Sequence, residues 1–205
     1  MLLKKLTLLY KNLTLIIIVG LTAFFLNFHY GFIGIMPMDN TVLYNGGYRV
    51  LNGYVPFNDY WLVTGPLLDY LNAGFFHVLG ISWSTFIIHS SIFNLILAIS
   101  SYYLFIDLKL SKIFSAFYSI LISLLFYPVV GTPFVDHHST FFLLIAFYLF
   151  IIFINRKNFV YLIFIPISLC LSFLSKQTPA VYGALGILIL LLFACFFYKK
   201  KTKKI

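Results

Sequence analysis

The sequence STFFLLIAFYLFIIFI, residues 139–154, contains no charged residue and is followed directly by Asn155, Arg156 and Lys157. An apolar run of this kind is typical of a helix that crosses a bilayer, and cations at one end anchor such a helix on the cytoplasmic side. The rest of the chain has the same character, because 62% of its 205 residues are apolar and 9% are charged. Soluble domains carry roughly 25% charged residues. The composition therefore excludes a soluble globule and predicts a polytopic membrane protein.

Apolar runs along the whole chain predict about six transmembrane helices. The expected spans are residues 14–35, 85–106, 114–130, 139–154, 159–174 and 180–198. A long loop, residues 36–84, follows the first span, and its tyrosine and tryptophan residues predict short helices at the membrane interface. We therefore expect an all-α protein in which residues 1–205 form a single transmembrane domain.

The cations predict the orientation of these spans. Twelve of the fourteen Lys and Arg residues lie in segments 1–13, 107–113, 155–158 and 199–205, and only Arg49 and Lys176 lie elsewhere. The positive-inside rule places these four segments, and both termini, on the cytoplasmic side of the cell (inner) membrane. Residues 66–80 are too short for a seventh span, and inserting them would move most cations outside. We expect them to form an interfacial helix with Asp69 and His77 on its polar side.

Most of the acidic residues fall on the outer side in this topology. Of the five, only Asp107 lies inside, and Asp39, Asp59, Asp69 and Asp136 lie outside. Carboxylates are costly near a bilayer and contribute little to orientation, so their concentration on one face predicts chemistry there. The net charge of +9 is explained by anchoring to the bilayer, and no nucleic acid is expected as a partner.

Three pieces of the long loop form an ordered pattern: MDN at 38–40, YNGGYRVLNGYVPFNDY at 44–60 and GPLLDYL at 65–71. This pattern resembles the first outer loop of the GT-C superfamily of membrane glycosyltransferases, which includes protein O-mannosyltransferases and bacterial aminoarabinose transferases. Two later pieces, PFVD at 133–136 and FLSKQTP at 173–179, resemble the second outer loop and the Lys-containing turn after the fifth span. The chain departs from the pattern at Asn40, where members usually carry a second acidic residue, and it is shorter than most members.

The resemblance implies a GT-C-like fold and an inverting transfer of a sugar from a polyprenyl-phosphate donor to a glycan, lipid or protein acceptor on the outer face. Such a transfer needs a base for the acceptor hydroxyl and a partner for the departing phosphate. The predicted catalytic residues are Asp39, as the base, and Asp136. The predicted substrate-binding residues are Lys176, Arg49, His137, His138 and Asp59, with Lys176 favoured as the phosphate contact.

Several alternatives remain open at this level. Asp39 and Asp136 suit the ends of helices as caps, and Arg49 suits an ion pair with Asp59 or a lipid headgroup. No metal ligand set is predicted, although a divalent cation shared by the two carboxylates stays open as a cofactor. The competing functions are a transporter or flippase for a lipid-linked sugar and a non-catalytic, truncated fragment of such an enzyme. The sequence identifies neither the sugar nor the acceptor.

Overall fold

The structure is a computed structural model that describes residues 2–34 and 36–202, with the side chains of residues 13–34 and 36–193. This part of the chain is all-helical, as the sequence predicts. Its helices are α1 (Leu2–Tyr30), α2 (Pro37–Leu51), α3 (Leu67–Leu79), α4 (Trp83–Asp107), α5 (Lys112–Leu124), a 3₁₀ turn (Tyr127–Val129), α6 (Val135–Arg156), α7 (Val160–Ser175) and α8 (Gln177–Thr202).

Four segments of the described residues are long and apolar enough to cross a membrane. They are Leu13–Tyr30, Trp83–Asp107, Lys112–Val129 and Val135–Arg156. The other two expected spans fall on shorter apolar helices, Val160–Ser175 and Gln177–Phe193. A helix of 16 residues rises ~24 Å, which is less than the ~30 Å hydrocarbon core of a typical bilayer. The structure therefore supports a helical membrane protein with four candidate spans.

Local sequence explains where these helices begin and end. Ser82 caps α4, because its hydroxyl accepts a hydrogen bond from the main-chain N–H of Thr85 at 3.1 Å. Pro37 opens α2, where a missing N–H costs nothing. The helix α6 ends where Lys157 takes a left-handed conformation with φ 55°. These residues determine where α2 and α4 begin and where α6 ends.

The helix α4 lies at the centre of the bundle and packs against α1, α3, α5 and α6. Small and polar residues allow this close packing, since Ser90, Ser91, Ala98 and Ser101 of α4 are all fully buried. On its other side α6 packs against α7 and α8. The bundle thus consists of α1, α4 and α5 on one side and α6, α7 and α8 on the other.

The long loop folds back over this bundle as two helices. Gly46 and Gly47 of α2 face α3, and a β-carbon at Gly46 would overlap the carboxyl group of Asp69. Asp69 is consequently buried, with 3% of its surface exposed, whereas His77 is exposed. The expected helix is present, but the expectation that these two residues share a polar outer side was wrong, because α2 covers the face that carries Asp69.

The end of the loop is attached to the other half of the bundle. The main-chain N–H of Gly65 donates a hydrogen bond to the carbonyl of Ser175 at 3.2 Å. A β-carbon at Gly65 would overlap the carbonyl group of Leu174, so only glycine allows this approach. The contact brings the segment before α3 next to the junction of α7 and α8.

Candidate functional site

A cavity of about 540 Å³ lies at the place where the loop meets the bundle. It is bounded by the first turns of α2, α3 and α6, by the segment 61–65 and by the junction of α7 with α8. Its charged or titratable lining residues are Asp39, Asp69, Asp136 and Lys176, and its other lining residues are Val42, Leu43, Trp61, Leu62, Val63, Thr64, Gly65, Phe134 and Val135.

An ion pair between α6 and the junction of α7 with α8 lines this cavity. The Nζ atom of Lys176 lies 2.6 Å from Oδ1 of Asp136, and their side chains are 31% and 43% exposed. The hydroxyl of Ser139 donates to the carbonyl of Lys176 at 3.0 Å and holds the junction against α6. One carboxylate oxygen occupies one of the three N–H groups of the ammonium, so Lys176 keeps donors for an anion in the cavity.

Asp39 enters the cavity from the first turn of α2. Its carboxylate is exposed and makes no hydrogen bond or ion pair with the described residues. The alternative of a helix cap therefore receives no support, because α2 has no side-chain cap. A carboxylate in the first turn of a helix interacts favourably with the helix dipole.

Asp69 is a fourth titratable residue in the cavity, and the sequence did not place it among the site residues. The hydroxyl of Tyr60 donates to its Oδ2 atom at 2.7 Å. Burial raises the pKa of Asp69 to about 6, and this rise outweighs the opposing effects of Tyr60 and Arg49. The sequence signal for this residue was an acid on an apolar helix, preceded in the chain by two adjacent glycines, Gly46 and Gly47, which lie in α2.

Arg49 lines a different, smaller cavity of about 220 Å³. Its guanidinium carbon lies 5.1 Å from the ring centroid of Tyr60, in a cation–π contact. The other lining residues are Val42, Asn45, Gly46, Trp61 and Leu62. The alternative of an Arg49–Asp59 ion pair is not found, because Asp59 closes its own turn. Its carboxylate accepts hydrogen bonds from the N–H of Val55 and the side chain of Asn58, both at 2.7 Å.

The two histidines that follow Asp136 point away from the large cavity. His138 is fully buried, and its Nε2 atom lies 3.1 Å from Nε2 of His89. His89 in turn contacts Oδ1 of Asn72 through Nδ1 at 2.6 Å. His137 packs among the rings of Phe126, Tyr127 and Phe134.

The structure therefore brings together three of the seven residues predicted for the site, Asp39, Asp136 and Lys176. Arg49 occupies the neighbouring cavity, and Asp59, His137 and His138 line neither cavity. Within the described residues, no group of three or more His, Cys, Asp or Glu side chains is arranged to hold a metal ion. A divalent cation remains a prediction from the sequence.

Comparisons of the chain with protein-family models, with curated proteins and with solved structures found no match.

Proposed function

We propose that the protein is a membrane-embedded glycosyltransferase that moves a sugar from a polyprenyl-phosphate donor to an acceptor on the non-cytoplasmic face. One observation carries this proposal: Asp39, Asp136 and Lys176 come from three separate segments and line one cavity. A base and a cation beside one hollow are what an inverting sugar transfer from a lipid phosphate requires. The ordered resemblance of the loop to the GT-C superfamily supports the same assignment.

In the proposed reaction, Asp39 accepts the proton of the acceptor hydroxyl. The acceptor oxygen forms a bond to the anomeric carbon as the bond between that carbon and the phosphate oxygen breaks, and the bonding electron pair leaves with the polyprenyl phosphate. The ammonium of Lys176 stabilises the charge on the departing phosphate. Asp136 orients this ammonium through their ion pair, which leaves the remaining N–H groups directed at the phosphate.

Apolar side chains around the cavity suit a lipid-linked substrate. Val42, Val63 and Trp61 line the cavity and are 62%, 77% and 80% exposed. Exposed apolar residues beside charged groups provide a surface for the first units of a prenyl chain while its phosphate reaches Lys176. The cavity thus combines both kinds of surface that a polyprenyl phosphate presents.

The proposal includes a topology with six spans. The helices α7 and α8 then cross the bilayer together with the four longer segments, and the segments rich in Lys and Arg lie in the cytoplasm. In this arrangement the large cavity opens on the outer face, near the lipid headgroups. The cations at the two ends of the chain, on which the orientation partly depends, have side chains outside the described residues.

The decisive experiment replaces the proposed base. Asp39→Asn should lower transfer of sugar from a polyprenyl-phosphate donor by about 10²–10⁴-fold in membranes, because general-base catalysis contributes a factor of this size. The matched control is Asp107→Asn, which makes the same chemical change in the ion pair with Arg156, away from the cavity. Equal activity in Asp39→Asn and wild-type membranes that contain equal amounts of protein would refute Asp39 as the base.

A transporter of lipid-linked sugars is the second candidate, and buried polar residues inside the spans favour it. Asn27 and Asn94 are fully buried in α1 and α4, a feature typical of transport pathways. Their side-chain NH2 groups are, however, used within the bundle, since Asn27 donates to Ser90 and Ser91 and Asn94 donates to the carbonyl of Ala23. Their Oδ1 atoms are buried and accept no hydrogen bond from the described residues. Movement of a lipid-linked sugar across vesicles that lack acceptor, unchanged in Asp39→Asn, would favour transport over transfer.

A further inference from the structure

The small cavity beside Arg49 has the features of a binding site that the transfer reaction, as described above, does not use. One wall is a single face of α2, because Val42, Asn45, Gly46 and Arg49 follow the spacing of three and four residues that aligns side chains on a helix. The other wall is the extended segment of Tyr60, Trp61 and Leu62.

The guanidinium in this cavity is held in place but is not neutralised by an ion pair. It lies over the ring of Tyr60, and the hydroxyl of Tyr60 is fixed by its hydrogen bond to Asp69. Among the described residues no carboxylate lies within ion-pair distance of Arg49, and neither Arg49 nor Asn45 makes a side-chain hydrogen bond. Asp69 acts on Arg49 only through a longer-range electrostatic effect.

Such an arrangement fits a small anion. The planar guanidinium presents parallel N–H groups that match the two oxygens of a phosphate or a carboxylate, and the amide of Asn45 adds further donors. The cavity, at about 220 Å³, has room for an anionic group and a few neighbouring atoms.

The position of the cavity indicates which molecule carries this anion. Val42, Trp61 and Leu62 line both cavities, so a group bound by Arg49 lies one side chain away from the cavity that contains Asp39 and Lys176. The two outer cations are thus divided between two adjacent sites. Lys176 faces the site assigned to the donor phosphate, which leaves Arg49 for the other reactant.

We propose that the small cavity binds a phosphate or carboxylate group of the acceptor substrate, with Arg49 as its bidentate partner and Asn45 as a second donor. The identification of the ligand as the acceptor rests on the proposed glycosyltransferase function. Binding of an anion by Arg49 does not depend on that function and is measured separately.

The chain offers a reporter for this binding, because Trp61 and Trp83 are its two tryptophans and Trp61 is 80% exposed in the shared wall. The Trp83→Phe variant, in which Trp61 is the one remaining tryptophan, is purified in dodecyl maltoside. Its fluorescence is measured as inorganic phosphate or acetate is added, and potassium chloride of equal ionic strength is the control. We expect a saturable change that Arg49→Gln weakens at least tenfold. Arg49→Lys should retain part of the affinity. Because Trp61 also lines the cavity that contains Lys176, the titration is repeated in a Lys176→Gln background, where the change that depends on Arg49 should persist.

Other outcomes overturn the proposal. A response that survives in Arg49→Gln but disappears in Lys176→Gln would show that the anion binds only in the large cavity. A response to soluble phosphate that phosphatidylglycerol nanodiscs abolish and phosphatidylcholine nanodiscs preserve would assign the site to a membrane headgroup. Trp83→Phe removes the hydrogen bond that Trp83 donates to the carbonyl of Gly31 at 3.3 Å. Anion binding is therefore also measured by calorimetry, with Trp83 in place, for the wild-type chain and for Arg49→Gln. Absence of both a saturable fluorescence change and heat, with phosphate and with acetate, would equally overturn the proposal.

The same variant separates this proposal from the transferase itself. If transfer is detected, Arg49→Gln should raise KM for an anionic acceptor at least tenfold while leaving KM for the donor within a factor of two. If Asp39→Asn has no effect on transfer, the catalytic assignment fails, but the anion titration still decides whether Arg49 forms a binding site.

Discussion

The large cavity and the pair of His89 and His138 both contain titratable side chains. Those of the pair are fully buried and bonded within the protein, whereas several of those in the cavity are exposed or partly exposed. In the cavity, Asp39 has no partner among the described residues, and the Lys176–Asp136 pair is partly exposed. Two residues further along α6, His138 is fully buried and contacts His89 of α4, which is also fully buried and contacts Asn72. Side chains that are held entirely by the protein serve the fold, whereas side chains with unused donors and acceptors at a cavity serve a ligand.

The largest change in stability is expected in the histidine pair. His138→Ala should lower the free energy of unfolding by about 3 kcal/mol, because it empties the space of a buried ring and leaves His89 without its partner. Thermal unfolding of the purified protein measures this loss. His77→Ala, which removes an exposed imidazole from α3, is the matched control and should leave the melting temperature within about 2 °C.

Similar melting temperatures for the His138→Ala and His77→Ala proteins would contradict this prediction. The buried pair would then contribute no more to the free energy of unfolding than an exposed side chain does. Two neutral imidazoles carry two N–H groups for three contacts, namely with Asn72, between the rings and with the carbonyl of Phe134. The rings therefore contribute through packing as well as through hydrogen bonds.

Asp69 lies between the two regions, since it is buried yet lines the cavity, and it should make stability depend on pH. Its pKa is about 6 in the folded protein and near 3.8 when unfolded. The unfolded chain loses this proton first, so stability is greatest below about pH 4 and falls as the pH rises to about 6, by at most ~3 kcal/mol. Asp69→Asn should remove this decrease.

The measurement is the melting temperature between pH 4 and 7 for the wild-type and Asp69→Asn proteins, which should differ in slope over this range. Tyr60→Phe is a second probe, because it removes the hydrogen bond that opposes the rise in the pKa of Asp69. Parallel profiles for wild type and Asp69→Asn would contradict the assignment of this pH dependence to Asp69.

The smallest effect on stability is expected for the ion pair in the cavity. Asp136→Asn should change the free energy of unfolding by less than about 1 kcal/mol, since both partners are partly exposed to solvent. The same variant should lower sugar transfer by about 10-fold or more, because Lys176 loses the group that orients it. Equal losses of activity and of folded protein would instead identify the pair as a structural contact.

The sequence predicted an all-helical membrane protein because this class of structure follows from an apolar composition. Apolar runs mark helices directly: each of the six expected spans overlaps a helix, and four segments are long and apolar enough to cross a membrane. The third expected span, 114–130, extends past the end of α5 into the 3₁₀ turn. Counting spans and cations predicted that Asp39, Asp136 and Lys176 lie on one side of the membrane, and the structure places the three residues around one cavity. Their chemical roles remain predictions.

The finer assignments required contacts that adjacency in sequence does not reveal. Successive residues of a helix point about 100° apart, so Asp136 faces the cavity while His138 faces α4. Asp59 resembled a substrate ligand but closes a local turn, as aspartates often do. The burial of Asp69 depends on the glycines of α2, which lie more than twenty residues earlier in the chain.

The attachment of Gly65 to the end of α7 has a mechanical consequence in the proposed topology. The helix α7, with 16 residues, is shorter than a typical hydrocarbon core, so the surrounding lipids must thin or the helix must shift to match them. The contact with Gly65 links the end of α7 to the segment that carries Trp61. In the proposed topology, we therefore expect bilayer thickness to influence the shape of the cavity.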